Sequence, residues 1–152
     1  MEITIIPNKI LARKISSVSA QDIKNGLYKE LILNMKQTMI DNNGIGLAAN
    51  QVGKDLSIFV IDEGLAKEYE ASEVFFNPEI TEYSKDEDEL EEGCLSVPEF
   101  YTQVKRSKKI KIKFVDEDGN KKKIRARGFL ARVLQHETDH LGGLTIKNRV
   151  KK

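Results

Sequence analysis

Apolar residues recur at helical spacing in the first third of the chain. Ser19 opens this stretch, and Asp22 follows three positions later, as in a capping box. The next apolar residues lie four positions apart and form one face of a helix: Ile23, Leu27, Leu31, Met35 and Met39. Residues 42–44, Asn-Asn-Gly, end the pattern, because these residues favour turns and helix C-caps. The pattern predicts one continuous helix that begins at Ser19.

Further along, four segments have the composition of β-strands. Residues 56–61 are apolar and β-branched, and residues 74–76 form a shorter apolar run before an Asn-Pro pair. Residues 109–114 alternate between lysine and apolar side chains, which is typical of a strand with one buried face. Because a turn at residues 118–120 leads to residues 123–126, the last two segments are predicted to form a β-hairpin.

Near the C-terminus the apolar period changes to that of a helix. Phe129, Val133, His136 and His140 follow at spacings of four, three and four, so they form one stripe along a helix. Two glycines at residues 142–143 end this helix.

Length and composition indicate one globular unit of near-neutral charge. With 152 residues, the chain can bury a sizeable core, and we expect a single domain over residues 1–152. The predicted elements give an α+β fold with antiparallel strands packed around the C-terminal helix. The 25 basic and 24 acidic residues leave a net charge of +1, so we expect no DNA partner and no membrane association. We expect no signal or transit peptide and no membrane-spanning segment, because no apolar run of the required length occurs.

Charge and cysteine content refine this view. Residues 82–92 are strongly acidic, whereas residues 105–113 and 121–127 are basic. We interpret these runs as solvated loop and strand faces. The single cysteine excludes an internal disulfide and fits a reducing cytosol.

Both histidines of the chain, His136 and His140, lie four positions apart, with Glu137 next to the first. On a helix this spacing places both imidazoles on one face, where they can bind one divalent cation. The Glu137 carboxylate would then be close enough to exchange protons with a water molecule at the metal. The alternative is two surface histidines on a polar helix, and this short pattern alone does not decide between them.

A hydrolytic metal site of this kind needs a third protein ligand. Residues 141–152 contain no His, Asp, Glu or Cys, so the third ligand must lie upstream of His140. Cys94 is the candidate, because Gly93 and Pro98 around it indicate a constrained, extended backbone. The alternative is a small buried apolar cysteine, but the missing ligand favours metal binding.

Residues 44–51 form a third block of interest. Its glycines and alanines let a backbone approach a ligand, and Gln51 carries a neutral amide that can donate to an oxyanion. Together with residues 92–96 and 136–140, this block resembles the motifs of the peptide deformylases. The resemblance covers nearly the whole chain, from residues 6–7 to residue 143, and includes every position of the three motifs.

The resemblance implies roles for the matching residues. The implied metal ligands are Cys94, His136 and His140. Glu137 would be the general base and acid, and Gln51 with the backbone N–H of Leu95 would form an oxyanion hole. The implied reaction removes the formyl group from the N-terminal formylmethionine of a newly made polypeptide and releases formate. The implied cofactor is one divalent metal, Fe(II) in the cell, with zinc, nickel or cobalt able to occupy the same ligands.

The resemblance also implies which residues surround the substrate. They are Gly44, Ile45, Gly46, Glu92, Gly93, Phe129, Arg132 and Val133. Arg132 stands where deformylases usually have an apolar residue of the methionine pocket, and Tyr101 stands where an arginine is frequent. We expect Arg132 to flank that pocket and to alter selectivity if its guanidinium points inward; the alternative is a charge in solvent on a stem along the pocket wall. We also expect a short form without the extra C-terminal helix of many bacterial members.

Two other classes of function remain open. A metal-dependent amidase or protease for other substrates would share the ligands, and comparing formylated with acetylated peptides would distinguish it. A zinc-stabilised binding module would need neither Glu137 nor Gln51. The resemblance further implies a cytoplasmic monomer that acts on nascent peptides, and the basic strand faces could contact the ribosome.

Overall fold

The computed structural model describes residues 1–150, and its N-terminal region contains two helices where the sequence predicts one. Helix α1 spans Ala20–Lys24 and helix α2 spans Lys29–Asp41. Gly26 separates them with a φ of +73°, a left-handed conformation that is incompatible with a helix interior. The prediction of one continuous helix is therefore wrong. Leu27, expected on the apolar stripe, is 63% exposed.

The predicted start and end of this helical region are confirmed. The Ser19 side chain caps α1 and accepts a hydrogen bond from the Asp22 backbone N–H at 3.1 Å. Helix α2 ends at Asp41, directly before the Asn-Asn-Gly sequence. Three residues of the predicted stripe are buried as expected: Ile23, Met35 and Met39.

Within residues 1–150, seven strands form two separate antiparallel sheets. Their bounds are β1 Gly46–Ala48, β2 Ile58–Ile61, β3 Val74–Tyr83, β4 Glu87–Cys94, β5 Val97–Ser107, β6 Lys109–Val115 and β7 Lys121–Arg127. The main sheet has the spatial order β1-β2-β3-β6-β7, and β4 pairs with β5 in the second sheet. Strands β6 and β7 form the predicted hairpin, with Ile112 opposite Ile124.

Strand β3 is longer than the sequence predicts. We expected a strand at residues 74–76 that stops before the Asn-Pro pair, but the strand continues to Tyr83. The pairing with β6 shifts between Phe76 and Glu79, so the pair lies in a bulge. A bulge tolerates proline because the residue there does not have to donate to the neighbouring strand.

The β4–β5 sheet is absent from the sequence-based prediction. The acidic run contributes most of β4, and two of its acidic residues face cations of β5. Asp88 lies opposite Arg106, and Glu89 lies opposite Lys105. Opposite charges in such cross-strand positions stabilise a pair of strands by about 0.2–1 kcal/mol each. Complementary charges, rather than an apolar stripe, therefore favour the pairing of β4 with β5.

Helix α4, Gly128–Leu141, packs against one face of the main sheet and α2 packs against the other. Strand β2 shows why both faces need cover: Phe59 and Ile61 point into the cluster with α4, whereas Ile58 and Val60 point into the cluster with α2. The α+β fold with antiparallel strands around this helix is confirmed. A short helix α3, Glu63–Glu68, follows β2. Within residues 1–150, no helix has the length and apolar character needed to cross a membrane.

Candidate active site

Helix α4 brings the two histidines side by side. His136 and His140 lie about one turn apart, and their Nε2 atoms are 3.2 Å from each other. His140 is fully buried. The Asn50 amide donates to the backbone oxygen of His140 at 2.6 Å and anchors this end of the helix. The fold therefore presents both ring nitrogens to one point.

Cys94 reaches the same point from the end of strand β4. The β4–β5 register shifts between Gly93 and Cys94, so the strand becomes irregular at this ligand. The Cys94 Sγ lies 3.3 Å from Nε2 of His140. Gly93 is needed here, because a Cβ at this position would lie 2.5 Å from the Tyr101 ring. Ligand atoms of Cys94, His136 and His140 all lie within 4.8 Å of one another.

This group of three residues fits a divalent metal. Ligands at tetrahedral angles, with bonds of about 2.0–2.1 Å to nitrogen and about 2.3 Å to sulfur, lie about 3.3–3.6 Å apart. The observed separations of 3.2 and 3.3 Å are close to these values. Three protein ligands are typical of catalytic metal sites, whereas structural zinc sites usually have four.

Glu92 fixes the orientation of the His136 ring. Its Oε1 lies 2.9 Å from Nδ1 of His136, so Nδ1 can donate while Nε2 faces the other ligands. Arg106 donates from Nε and Nη2 to the same carboxylate, each at 3.0 Å. Burial raises the pKa of Glu92, but the hydrogen bonds and charges of His136 and Arg106 outweigh it and hold this pKa well below its usual range.

The two imidazoles differ in their affinity for protons. Burial lowers the pKa of His140, and the charge of His136 lowers it further. Burial also lowers the pKa of His136, but hydrogen bonds to Cys94 and Glu92 outweigh it and raise this pKa to about 10. A metal must therefore displace a proton when it binds here, and its affinity should fall as the pH falls.

Glu137 lies beside this group without belonging to it. It is buried, and its Oε1 has no hydrogen-bond partner among residues 1–150. Burial raises its pKa to about 7. Gly46 makes room for it, because a Cβ at Gly46 would lie 2.6 Å from the Glu137 Oε2. A carboxyl group that titrates near neutral pH suits general acid and base chemistry.

Gln51 directs its amide nitrogen towards the sulfur ligand. Its Oε1 accepts a hydrogen bond from the Ala48 backbone N–H at 3.0 Å, which fixes the orientation of the amide. Its Nε2 lies 3.6 Å from the Cys94 Sγ and donates to Oγ of Ser96 at 3.1 Å. Ser96 is fully buried, and sequence reasoning missed this partner.

Leu95 lies in the turn between β4 and β5, directly after Cys94. Its side chain packs on the glycine-rich block, because a Cβ at Gly44 would lie 3.1 Å from its Cδ1. The backbone of Leu95 is thus adjacent to a ligand.

A cavity of about 560 Å³ lies beside these groups. The eight residues expected around the substrate all line it: Gly44, Ile45, Gly46, Glu92, Gly93, Phe129, Arg132 and Val133. Its wall also includes Leu90, Val97, Pro98, Phe100 and Tyr101. Of these five, the sequence analysis singled out only Tyr101 near the substrate. The other four were missed, and most of them belong to β5, a strand that the sequence does not predict. The exposure of large apolar side chains such as Leu90 and Phe129 is the signal that marks this wall.

Arg132 and Arg106 are buried arginines next to the site. The alternative of Arg132 as a charge in solvent is wrong, since its guanidinium bonds to Glu92 and Asp88. Arg106 also donates from Nη1 to Asp139 at 2.6 Å. Sequence reasoning missed Arg106, because its partners meet it only after the second sheet docks on helix α4.

The fold and the site define a metal-dependent hydrolase. The family model described as polypeptide deformylase matches residues 1–152. The peptide deformylase of Thermodesulfovibrio yellowstonii is 41% identical over 150 residues, covering 99% of this chain and 88% of that protein. The chain therefore belongs to the polypeptide deformylase family, whose members remove N-formyl groups from nascent peptides.

Solved structures agree with this assignment. The crystal structure of peptide deformylase from Thermotoga maritima has a TM-score of 0.89 at 36% identity and covers 99% of this chain and 97% of that one. The Met-Ala-Ser-bound structure of the class I type b enzyme from Acinetobacter baumannii has a TM-score of 0.88 at 32% identity. It covers 99% of this chain and 98% of that one.

Proposed function

We propose that this chain removes the formyl group from the N-terminal formylmethionine of newly made polypeptides, with release of formate and a free amino terminus. The observation that carries this proposal is that three ligand atoms, an oriented amide and a carboxylate oxygen with no hydrogen-bond partner among residues 1–150 lie beside one cavity. The apolar wall of that cavity suits a methionine side chain.

The metal would be held by Cys94, His136 and His140. When bound, it supplies a Lewis acid that polarises the formyl group and makes water acidic enough to deprotonate near neutral pH. We propose Fe(II) as the metal in the cell, as the resemblance implies, and zinc, nickel or cobalt as occupants of the same nitrogen and sulfur donors. Metal analysis after anaerobic purification tests this assignment.

The protein groups carry out the proton transfers and stabilise charge. Glu137 takes a proton from the attacking water at Oε1, the atom without a hydrogen-bond partner in the described part of the chain, and later returns it to the departing amine. The Gln51 Nε2 and the Leu95 backbone N–H donate to the oxyanion that develops on the formyl oxygen. Loss of one such donor typically lowers the rate by about 10²–10³.

The decisive assay uses formyl-Met-Ala-Ser, with anaerobic Fe(II) loading and detection of formate. Hydrolysis is expected for the parent protein, with strong loss in Glu137→Gln at unchanged metal content. Acetyl-Met-Ala-Ser is the matched substrate control. Preferred cleavage of the acetyl peptide would instead support an amidase of other specificity. Unfolding on metal removal, with no hydrolysis under any metal, would support a binding module.

We also propose that the protein is a single-domain monomer that acts in the cytoplasm, where nascent chains emerge. One chain supplies every group of the described site, which supports a monomer. Light scattering on the purified protein tests the oligomeric state.

Contact with the ribosome is proposed through the outer face of the β6–β7 hairpin. This face carries three directly opposed pairs of cations: Lys109 with Arg127, Lys111 with Arg125, and Lys113 with Lys123. Lys111 and Lys113 already pair with Glu82 and Glu79 of β3 at 3.2 Å each, so an anionic partner would be bound mainly by Lys123, Arg125 and Arg127. RNA phosphates supply such charge, and their binding weakens strongly with salt.

Co-sedimentation with ribosomes at low and at physiological salt tests this contact. The double variant Arg125→Glu with Arg127→Glu should bind less and show a weaker salt dependence. Lys9→Glu with Lys14→Glu changes two exposed cations elsewhere and serves as the control. Equal retention of the two double variants would contradict the proposed surface.

A further inference from the structure

Arg132 connects helix α4 to the second sheet through four hydrogen bonds. Its Nη1 donates to the Glu92 carboxylate and to the Val104 backbone oxygen, the latter at 3.0 Å. Its Nη2 donates to the Asp88 backbone oxygen at 3.0 Å and to the Asp88 Oδ1 at 2.7 Å. All of these acceptors belong to β4 or β5, and the Arg132 side chain is only 5% exposed.

Through Glu92, these contacts connect Arg132 to the candidate metal ligand His136. One oxygen of Glu92 accepts from Arg132, and the other is bonded to Nδ1 of His136. The carboxylate is thus held from one side by a fixed cation while it orients the ring on the other. An imidazole whose Nδ1 is held in this way presents Nε2 to a metal in a defined direction.

Apolar packing alone gives the second sheet little support. The third apolar cluster contains three fully buried residues, Val97, Val104 and Ile146, whereas the two clusters of the main sheet are each several times larger. Charged groups must therefore supply much of the attachment between this sheet and helix α4. That attachment determines where Cys94 lies relative to the histidines.

We propose that Arg132 is a positioning residue of the metal site. By holding Glu92, it fixes the His136 ring. By holding Asp88 and the Val104 backbone, it keeps the strand that carries Cys94 at the correct distance from helix α4. The inference rests on the metal site of the proposed function, and it assigns to Arg132 an effect on metal affinity rather than a direct contact with substrate.

The test measures metal affinity without substrate. Arg132→Met removes every donor but keeps much of the stem, and competition with a chromophoric chelator gives the Kd for Zn(II). We expect binding about 10- to 100-fold weaker than in the parent, as for other partners of metal-bound histidines. Arg132→Lys should recover part of the loss, because lysine restores the charge without the two-pronged geometry.

The visible spectrum of the Co(II)-substituted protein gives a second measurement, since it depends on ligand geometry. Arg132→Met should change the bands, and Arg132→Lys should change them less. Arg13→Met is the matched control: it breaks an exposed ion pair with Asp55, 3.3 Å long, that includes none of the three ligands. Its affinity and spectrum should equal those of the parent.

A parent-like Kd and spectrum in folded Arg132→Met would overturn the proposal. If that variant does not fold, Asp88→Ala replaces it, because the Asp88 side chain is 48% exposed and its loss leaves the Glu92 contacts in place. This variant should bind Zn(II) several-fold more weakly, and parent-like binding would overturn the inference that the Asp88 side chain helps Arg132 to place the strand of Cys94. Normal metal binding without deformylation would contradict the proposed function instead.

Discussion

The main sheet buries apolar side chains on both faces, whereas the β4–β5 sheet meets helix α4 through buried charged side chains. In β2 all four residues are buried and divide between two apolar clusters. In β4 the buried residue is Glu92, with Arg106 and Arg132 on either side of its carboxylate. One half of the molecule is therefore held by packing and the other by directed hydrogen bonds.

This difference matters because the candidate metal ligands come from both halves. His136 and His140 lie on a helix fixed by the large apolar cluster, while Cys94 lies on the sheet held by charge. Apolar contacts tolerate small shifts, but a charge-assisted hydrogen bond is strong only over a narrow range of distance and angle. The ionic contacts can therefore set the ligand separation more closely than packing could.

The largest expected effect comes from removing one metal ligand, either from the β4–β5 sheet or from helix α4. Cys94→Ala and His140→Ala should each lose the metal, because two protein ligands bind a divalent ion far more weakly than three. Metal content after gel filtration measures this. Both variants are needed, since the comparison holds only if each half contributes a ligand. An unchanged metal-to-protein ratio in either variant would contradict the assignment.

The next largest effect is expected for Glu137→Gln. The substitution keeps the shape of the side chain but removes the proton acceptor, so kcat for formyl-Met-Ala-Ser should fall by about 10²–10⁴. Metal content should be unchanged, because Glu137 is not in the ligand group. Gln51→Leu provides the comparison and should lose less. Turnover near the parent value in Glu137→Gln would exclude general-base catalysis by this residue.

Two core substitutions separate the forces that hold the two sheets. Phe75, whose ring lies 4.7 Å from Phe59 and 4.3 Å from Phe114, belongs to the apolar half. Phe75→Ala should cost about 3–5 kcal/mol in the free energy of unfolding. Arg106→Met should cost less, about 1.5–3 kcal/mol, because it removes charge-assisted hydrogen bonds from Glu92 and Asp139, which keep Arg132 and Arg149 as partners.

The two variants should differ at the metal site. In protein that remains folded, Arg106→Met should weaken Zn(II) binding, whereas Phe75→Ala should leave the Kd near the parent value. Urea unfolding and chelator competition give the two quantities. Equal effects on metal affinity would mean that the distinction between the halves has no consequence for the site.

A smaller loss is expected for Gly46→Ala. The added Cβ would lie 2.6 Å from the Glu137 Oε2, so the carboxylate must move. A displacement of about 1 Å at a catalytic group can lower the rate by about 10². Metal content should stay constant, because the ligands are not touched. Gly64→Ala, in α3, is the control and should keep parent activity; equal rates in both variants would show that the carboxylate adjusts freely.

The contrast between the halves also explains which parts of the fold the sequence predicts. Strand β6 buries one face, so its apolar residues recur with a readable period. Helix α4 is buried on most sides, but Val133, His136 and His140 keep a helical spacing. Strand β4 buries little besides Glu92, and its acidic sequence carries no such period. Its partner is defined by complementary charge on β5, which becomes visible only when the two strands are aligned.

The residues of the candidate site also divide into those that the sequence predicts and those that it does not. Cys94, His136 and His140 could be predicted because metal binding requires particular residue types at particular spacings. Arg106 and Ser96 could not, because they act on the site from β5 and from the β4–β5 turn through tertiary hydrogen bonds. The break at Gly26 was missed because a glycine within an apolar stripe indicates a helix end only when its backbone conformation is known.

The smallest expected effect concerns substrate selectivity at Arg132. The sequence predicts that this residue flanks the pocket, and it does line the cavity. Its guanidinium, however, bonds to the second sheet, so we expect its stem to form the part of the wall near the substrate.

Methionine replaces most of that stem in Arg132→Met, and one buried methylene is worth about 0.8 kcal/mol. The ratio of kcat/KM for formyl-Met and formyl-norleucine peptides should therefore change by no more than about fourfold in Arg132→Met. Phe129→Ala, which removes a large apolar wall residue, should change the ratio more. A larger change for Arg132→Met would show that the guanidinium reaches the substrate and that charge, not packing, shapes the pocket.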